Sequence, residues 1–129
     1  MSELSREECW RLLEQERIGR LGYRLVDEVH VVPVNYLVRD ESLLIATGEG
    51  NKLLAAELQT EAALEIDDLT GAEEAWSVLV RGRLEHVDEA AAEEMADVAA
   101  SSWLPTLKYD VIRLVPTAVT GRRLLLLRP

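Results

Sequence analysis

The chain of 129 residues reads as a mainly β protein, an antiparallel barrel of about six strands with a helix at its start and helices inserted between strands. Three observations carry that reading. Apolar runs of strand length recur along the chain, most of them joined by hairpin-length turns. The segment Trp76 to Val87 alternates, with Trp76, Val78, Val80 and Leu84 on one face and Ser77, Arg81, Arg83 and Glu85 on the other. Helical spacing is confined to the start and two insertions, so the regular strand–helix alternation of a doubly wound sheet is missing.

The elements follow in order. Ser5 and Glu8 form a capping box, with Leu4 and Cys9 placed as a hydrophobic staple. Cys9, Leu12 and Leu13 then mark the buried stripe of a helix that runs to about Gln15. Arg17 to Leu25 is a strand, followed by a turn at Asp27-Glu28. Val29 to Val38 is apolar on both faces, which suits a central strand in a closed or covered sheet. Pro33 within it cannot donate to a ladder and marks a bulge or an edge. A hairpin turn over Arg39 to Ser42 leads into Leu43–Thr47, and a loop then opens a short helix, Lys52 to Leu58. Ala62–Asp67 is a strand, and Asp88–Ser101 is helical with Asp88 as N-cap. After a break at Trp103-Leu104-Pro105, two strands, Tyr109–Val115 and Arg122–Arg128, are separated around Pro116 and Gly121.

Composition bounds what such a fold can do. A 48% hydrophobic fraction and this length describe a single folded domain over residues 1–129. No run of 18 apolar residues and no signal-peptide pattern is present, so no membrane association is expected and a cytoplasmic protein is. A net charge of −10 and a pI near 4.6 argue against nucleic acid. With one cysteine and two histidines, His30 and His86, there is no Cys/His metal cluster. No Ser/His/Asp set supports hydrolysis, and Cys9 on its helical stripe serves as a small hydrophobe.

The chemistry concentrates at the loop after Thr47. A hydroxyl, backbone amides freed by Gly48 and Gly50, and Asn51-Lys52 converge on a helix start, where unpaired N–H groups attract anions. Two readings are open: a phosphate cradle, or a lysine that extends into solvent. Elsewhere, Trp76 supplies core volume in a chain without phenylalanine, and Trp103 divides between core and ligand stacking. Arg113, in an apolar strand, calls for a carboxylate such as Asp110 or one across the sheet. Arg122 and Arg123 fit a solvated turn.

These pieces together resemble the pyridoxamine 5′-phosphate oxidase-like split-barrel proteins that bind flavin mononucleotide (FMN), particularly the small actinobacterial-type members. The matching residues are Glu8 to Leu13 with Gly19-Arg20-Leu21, Val32 to Tyr36, Thr47 to Lys52, Glu65 to Asp68, Trp76 to Gly82, Val111 to Leu114 and Thr120 to Arg123. The resemblance implies a flavin lying along Pro33, Val34, Asn35 and Tyr36, held there through main chain, with its phosphate at Thr47, Asn51 and Lys52. It also implies aromatic residues near the cofactor across a homodimer interface, with Trp103 the candidate. The loop departs from the family pattern in carrying Glu49 and a lone basic residue, Lys52. A flavin-dependent oxidoreductase acting on a small molecule is the function the resemblance implies. The alternative is a carrier or sensor of the same fold that binds flavin, deazaflavin or haem, and a third reading is a dimeric module with no ligand. Oxidation of pyridoxamine phosphate itself is not expected, because the arginine-rich C-terminal segment of the true oxidases is missing.

Overall fold

A computed structural model describes residues 2–47, 55–71, 74–88, 90, 93 and 110–125. Its elements are β1 (Ser2–Glu3), α1 (Arg6–Gln15), β2 (Ile18–Leu25), β3 (Glu28–Arg39), β4 (Ser42–Thr47), β5 (Glu61–Asp68), β6 (Ala75–His86) and β7 (Asp110–Leu124). Every strand pairing is antiparallel. The order β7-β4-β3-β2-β5-β6 closes on itself through β6–β7, and β1 adds to the outside of β7. The result is the split barrel the sequence implies.

The helix forms as its cap dictates. Ser5 Oγ accepts from the Glu8 amide at 3.1 Å, and a Glu8 carboxylate oxygen accepts in return from the Ser5 amide at 3.4 Å. Cys9 and Leu13 are buried on one side of α1. Leu4 and Cys9 both pack over Gly121, where an added Cβ would stand 2.7 Å from Cys9 Sγ. That crossing holds the helix against β7. Burial also pushes the Cys9 thiol up from its ordinary pKa.

Inward-facing residues of every long strand fill the barrel, among them Leu21, Tyr36, Ile45, Leu64, Val80 and Leu114. Each such side chain contributes about 1.5–3 kcal/mol when fully buried. Tyr36 is almost fully buried, and its hydroxyl donates to the Leu13 carbonyl at 2.7 Å. Desolvation there raises its pKa further above the ordinary value. A second, smaller cluster forms outside the barrel wall from Leu44 and Val111, with Leu37, Ala46 and Val87 against them.

Hairpin turns carry unusual backbone. Asp40 and Glu41 both sit at positive φ (50° and 56°) between β3 and β4, the pattern of a type I′ turn. Val26, at φ 57°, turns the β2–β3 hairpin in a conformation unfavourable for a β-branched residue. Residues 55–57 are helical, and Gln59 at φ 53° closes them: its amide donates to Ala56 and that of Thr60 to Ala55, both at 3.0 Å. This is a Schellman ending with glutamine in the usual glycine position.

Two expectations need correction. The final strands are one: β7 runs through Pro116 and Gly121 without interruption. The register shifts between Arg81 and Gly82, which face Ala118 and Pro116, so Thr117 is an extra residue and a bulge absorbs the proline. For the same reason Arg122 and Arg123 are not in a turn. Both lie in β7, and Arg123 pairs with Glu8 at 2.6 Å. Strand β1, two residues long, has no counterpart in the sequence reading.

Candidate functional site

The site begins where β4 leaves β3. Their ladder runs from Arg39↔Ser42 to Asn35↔Ala46, so among the described residues β3 from Glu28 to Val34 pairs on one side only, with β2. The Tyr36 amide donates to Arg17 of the β2 side at 2.9 Å. By alternation, Val34 and Val32 also point their backbone groups at β2, while Pro33 and Val31 point theirs at the open edge. Pro33 therefore costs the ladder no hydrogen bond, and the edge reading of that proline holds. The open edge offers the carbonyls of Pro33 and Val31 and the Val31 amide.

Side chains divide by parity. Val34 and Tyr36 face the core and are buried, so only their main chain is available to a ligand outside the barrel. Asn35 is half-buried on the outer face and, among the described residues, its side chain makes no hydrogen bond. Thr47 ends β4, opposite Asp110 and one residue past the Asn35↔Ala46 pair. The structure thus brings the Pro33–Tyr36 strand and the Thr47 end of β4 to one place. Asn51, Lys52 and Trp103 lie outside the described residues.

Arg113 behaves differently from expectation. It lies on the outer face in a lateral row Leu37–Leu44–Arg113–Glu85, so a carboxylate does stand directly across the sheet. Among the described residues the two make no ion pair, and Arg113 Nε is buried without a hydrogen-bond partner. No sequence signal separates this arginine from a paired one, since Glu85 is in register with it. Trp76 packs against the core, as its alternation implies. His30 stacks on Tyr23 with ring centroids 5.0 Å apart and lies 3.5 Å from the Glu28 carboxylate.

Beside Pro33 on β2 stands Arg20, whose Nη1 reaches Glu65 at 2.7 Å and Asp67 at 2.6 Å. Burial, and then the neighbouring Asp67, raise the Glu65 carboxyl, with Arg20 pulling the other way. Among the described residues there is no group of acidic, histidine or cysteine side chains able to hold a metal. No helix among them is long and apolar enough to cross a membrane.

A strand edge unpaired among the described residues, an unengaged amide and a strand end therefore lie side by side. The sequence and the fold as a whole place the chain among known proteins. Residues 5–123 match the pyridoxamine 5′-phosphate oxidase family, and the chain belongs to it. The FAD binding protein of Mycobacterium smegmatis is 36% identical with a TM-score of 0.72, covering 96% of this chain and all of that one. A candidate pyridoxamine 5′-phosphate oxidase of Corynebacterium glutamicum is 35% identical with a TM-score of 0.76, covering 97% and 98% of the two chains. An uncharacterised protein of Mycobacterium tuberculosis is 34% identical over 87 residues, 67% of this chain and 78% of its own length.

Proposed function

We propose that the protein is a flavin-binding split-barrel oxidoreductase that acts on a small molecule, as a homodimer. The observation that carries the flavin reading is the β3 edge at Pro33, unpaired among the described residues and beside the end of β4, in a chain 36% identical to a protein named as FAD-binding. A flavin ring edge presents alternating carbonyl and N–H groups. The carbonyls and amide of the open edge and the Asn35 side chain are complementary to them. The phosphate would rest on Thr47, Asn51 and Lys52 at the helix start, with Arg113 as a further cation on the same outer face. Trp103 would cover the ring from the partner subunit. When bound, the flavin supplies the redox chemistry, and the chain holds and orients it.

FMN is the expected cofactor. FAD, which the M. smegmatis relative is named for, shares the ring and the first phosphate. Mass spectrometry of the ligand that co-purifies separates FMN, FAD, deazaflavin and haem, and a colourless protein that takes up none of them would end the reading. FMN should bind at least about tenfold tighter than riboflavin, or roughly 1.4 kcal/mol, with the preference shrinking as salt rises. Lys52→Glu should weaken FMN by about 30- to 1000-fold, roughly 2–4 kcal/mol. Unchanged FMN affinity in that variant would move the phosphate elsewhere. Reduction of the bound flavin by a nicotinamide or deazaflavin donor tests enzyme against carrier.

The dimer reading is supported by the outer face of β3. Val29 and Val31 are 69% and 68% exposed there, in line with exposed Pro33, while the apolar residues Val78 and Val80 of β6 are buried in the barrel. Sedimentation should give a dimer at micromolar concentration, and Val31→Glu should shift it to monomer.

A further inference from the structure

The outer surface over β2, β5 and β6 holds a cavity of about 380 Å³ that the flavin reading leaves unused. Register arithmetic builds it. One lateral row runs Val31–Gly22–Ala63–Arg81, and the next carries Arg24 opposite Val29 and Glu61 opposite Arg83. The floor between the walls is therefore Gly22 and Ala63. One wall holds Arg24 and the other Arg81 and Arg83, two strand spacings or about 10 Å apart. Among the described residues, none of the three arginines makes an ion pair or hydrogen bond through its side chain, although Glu61 faces Arg83 in register.

The glycine at position 22 is the second, independent observation. A Cβ built there meets nothing nearer than 3.8 Å, and its φ is in the ordinary range. Neither sterics nor backbone requires glycine. Glycine inside a strand costs about 0.5–1 kcal/mol relative to alanine, and it often marks a point where a ligand comes close. Gly82, also at this cavity, is of another kind, since a Cβ there would stand 2.0 Å from the Val115 carbonyl at the β7 bulge. Gly82 keeps the strands together; Gly22 keeps the trough open.

We propose that this trough binds a small, flat dicarboxylic acid, lying on Gly22 and Ala63 with one carboxylate at Arg24 and the other at Arg81 and Arg83. Three guanidinium groups against Glu61 leave a local charge of +2 on a chain of net −10, which matches two carboxylates. Opposed walls favour two separated anionic groups over a single phosphate, and the planar guanidinium fork pairs with carboxylate through two parallel hydrogen bonds. Glu61, between Arg24 and Arg83, limits affinity by repulsion.

The test is calorimetric titration of the full chain at fixed ionic strength with terephthalate, benzoate and inorganic phosphate. Terephthalate should bind at least tenfold tighter than either of the others. Arg24→Ala should bring terephthalate down to the level of benzoate. Arg81→Ala with Arg83→Ala should weaken both at least tenfold, Glu61→Gln should tighten terephthalate, and Arg122→Ala on β7 should change nothing. Gly22→Leu should abolish binding while the circular dichroism spectrum is kept; if that variant does not fold, the arginine variants decide alone. Terephthalate bound no tighter than benzoate, or bound unchanged by the double arginine variant, overturns the proposal. Displacement of terephthalate by FMN would assign the trough to the flavin, and a Gly22→Leu monomer that still binds terephthalate would make it a contact between copies. Either result overturns it too, whereas failure of flavin to bind leaves the trough standing.

Discussion

Two neighbouring rows on the outer face of one sheet use arginine in opposite ways. In the row through Pro33, Arg20 is held by two carboxylates, Glu65 and Asp67, at 2.7 and 2.6 Å. One row along the same strands, Arg81 stands in line with Gly22 and Ala63 with no acid in its row, and Glu61 of the next row leaves Arg83 and Arg24 unpaired among the described residues. What differs is whether β5 presents an acid or an alanine at the register position facing the arginine. A paired arginine stiffens a surface; an unpaired one, over a floor of small side chains, leaves a surface able to bind.

The comparison can be broken most severely at its glycines. Gly82→Val would drive a side chain into the Val115 backbone, and because that backbone is paired with Arg83 of β6 and follows directly on the β4 ladder at Leu114, a loss of about 3 kcal/mol is expected in urea unfolding. An unfolding free energy within 1 kcal/mol of the parent would show that β7 yields at its bulge. Gly22→Ala should move the other way, gaining about 0.5 kcal/mol, because alanine fits the strand and restricts the unfolded chain. A destabilised Gly22→Ala would mean that the position is glycine for structural reasons, which would remove a support of the trough.

The arginines sharpen it further. Arg81→Ala should leave stability within about 0.5 kcal/mol of the parent, as for other exposed surface changes without a partner. Arg20→Ala should instead be read in the titration of Glu65. Its carboxyl is raised by burial and by Asp67, and Arg20 opposes both, so the variant should titrate at still higher pH by carbon NMR. The sign for stability follows. A carboxyl raised in the folded state favours folding most fully below its unfolded pKa, and the contribution is lost as pH rises through the raised value. The Arg20→Ala protein should therefore gain on the parent toward acid pH. Identical Glu65 titration in the two proteins would show that the pair is a surface contact with no electrostatic consequence.

Much of the fold was legible before any coordinates. The capping box set the start of α1 at the right residue, and apolar runs between turn residues, with alternation in β6, located β2 to β6 within a residue or two, because cap chemistry and apolar patterning are local properties. β7 was misread for a local reason as well: Pro116 and Gly121 look like breaks until a bulge and a helix crossing account for them. The open edge at Pro33 was half legible, since proline announces an edge but not which neighbour is missing. The trough was not legible at all. Residues 22, 63 and 81 become neighbours only through the lateral register of three strands, and nothing along the chain records that alignment.

One consequence of the topology concerns the order in which the protein is made. The last of the described strands, β7, pairs with β4 along its first half, with β6 along most of its length and with β1 at its end. Until Asp110–Leu124 has left the ribosome, β4 and β6 each keep an unpaired edge rich in apolar residues, Leu43 to Ala46 on one and Val78 to Val80 on the other. Such edges are templates for pairing with other chains. Synthesis of this barrel therefore passes through a window of aggregation risk that closes only with its final strand, and a slow codon or a truncation within β7 should send the product to inclusion bodies rather than to a smaller folded form.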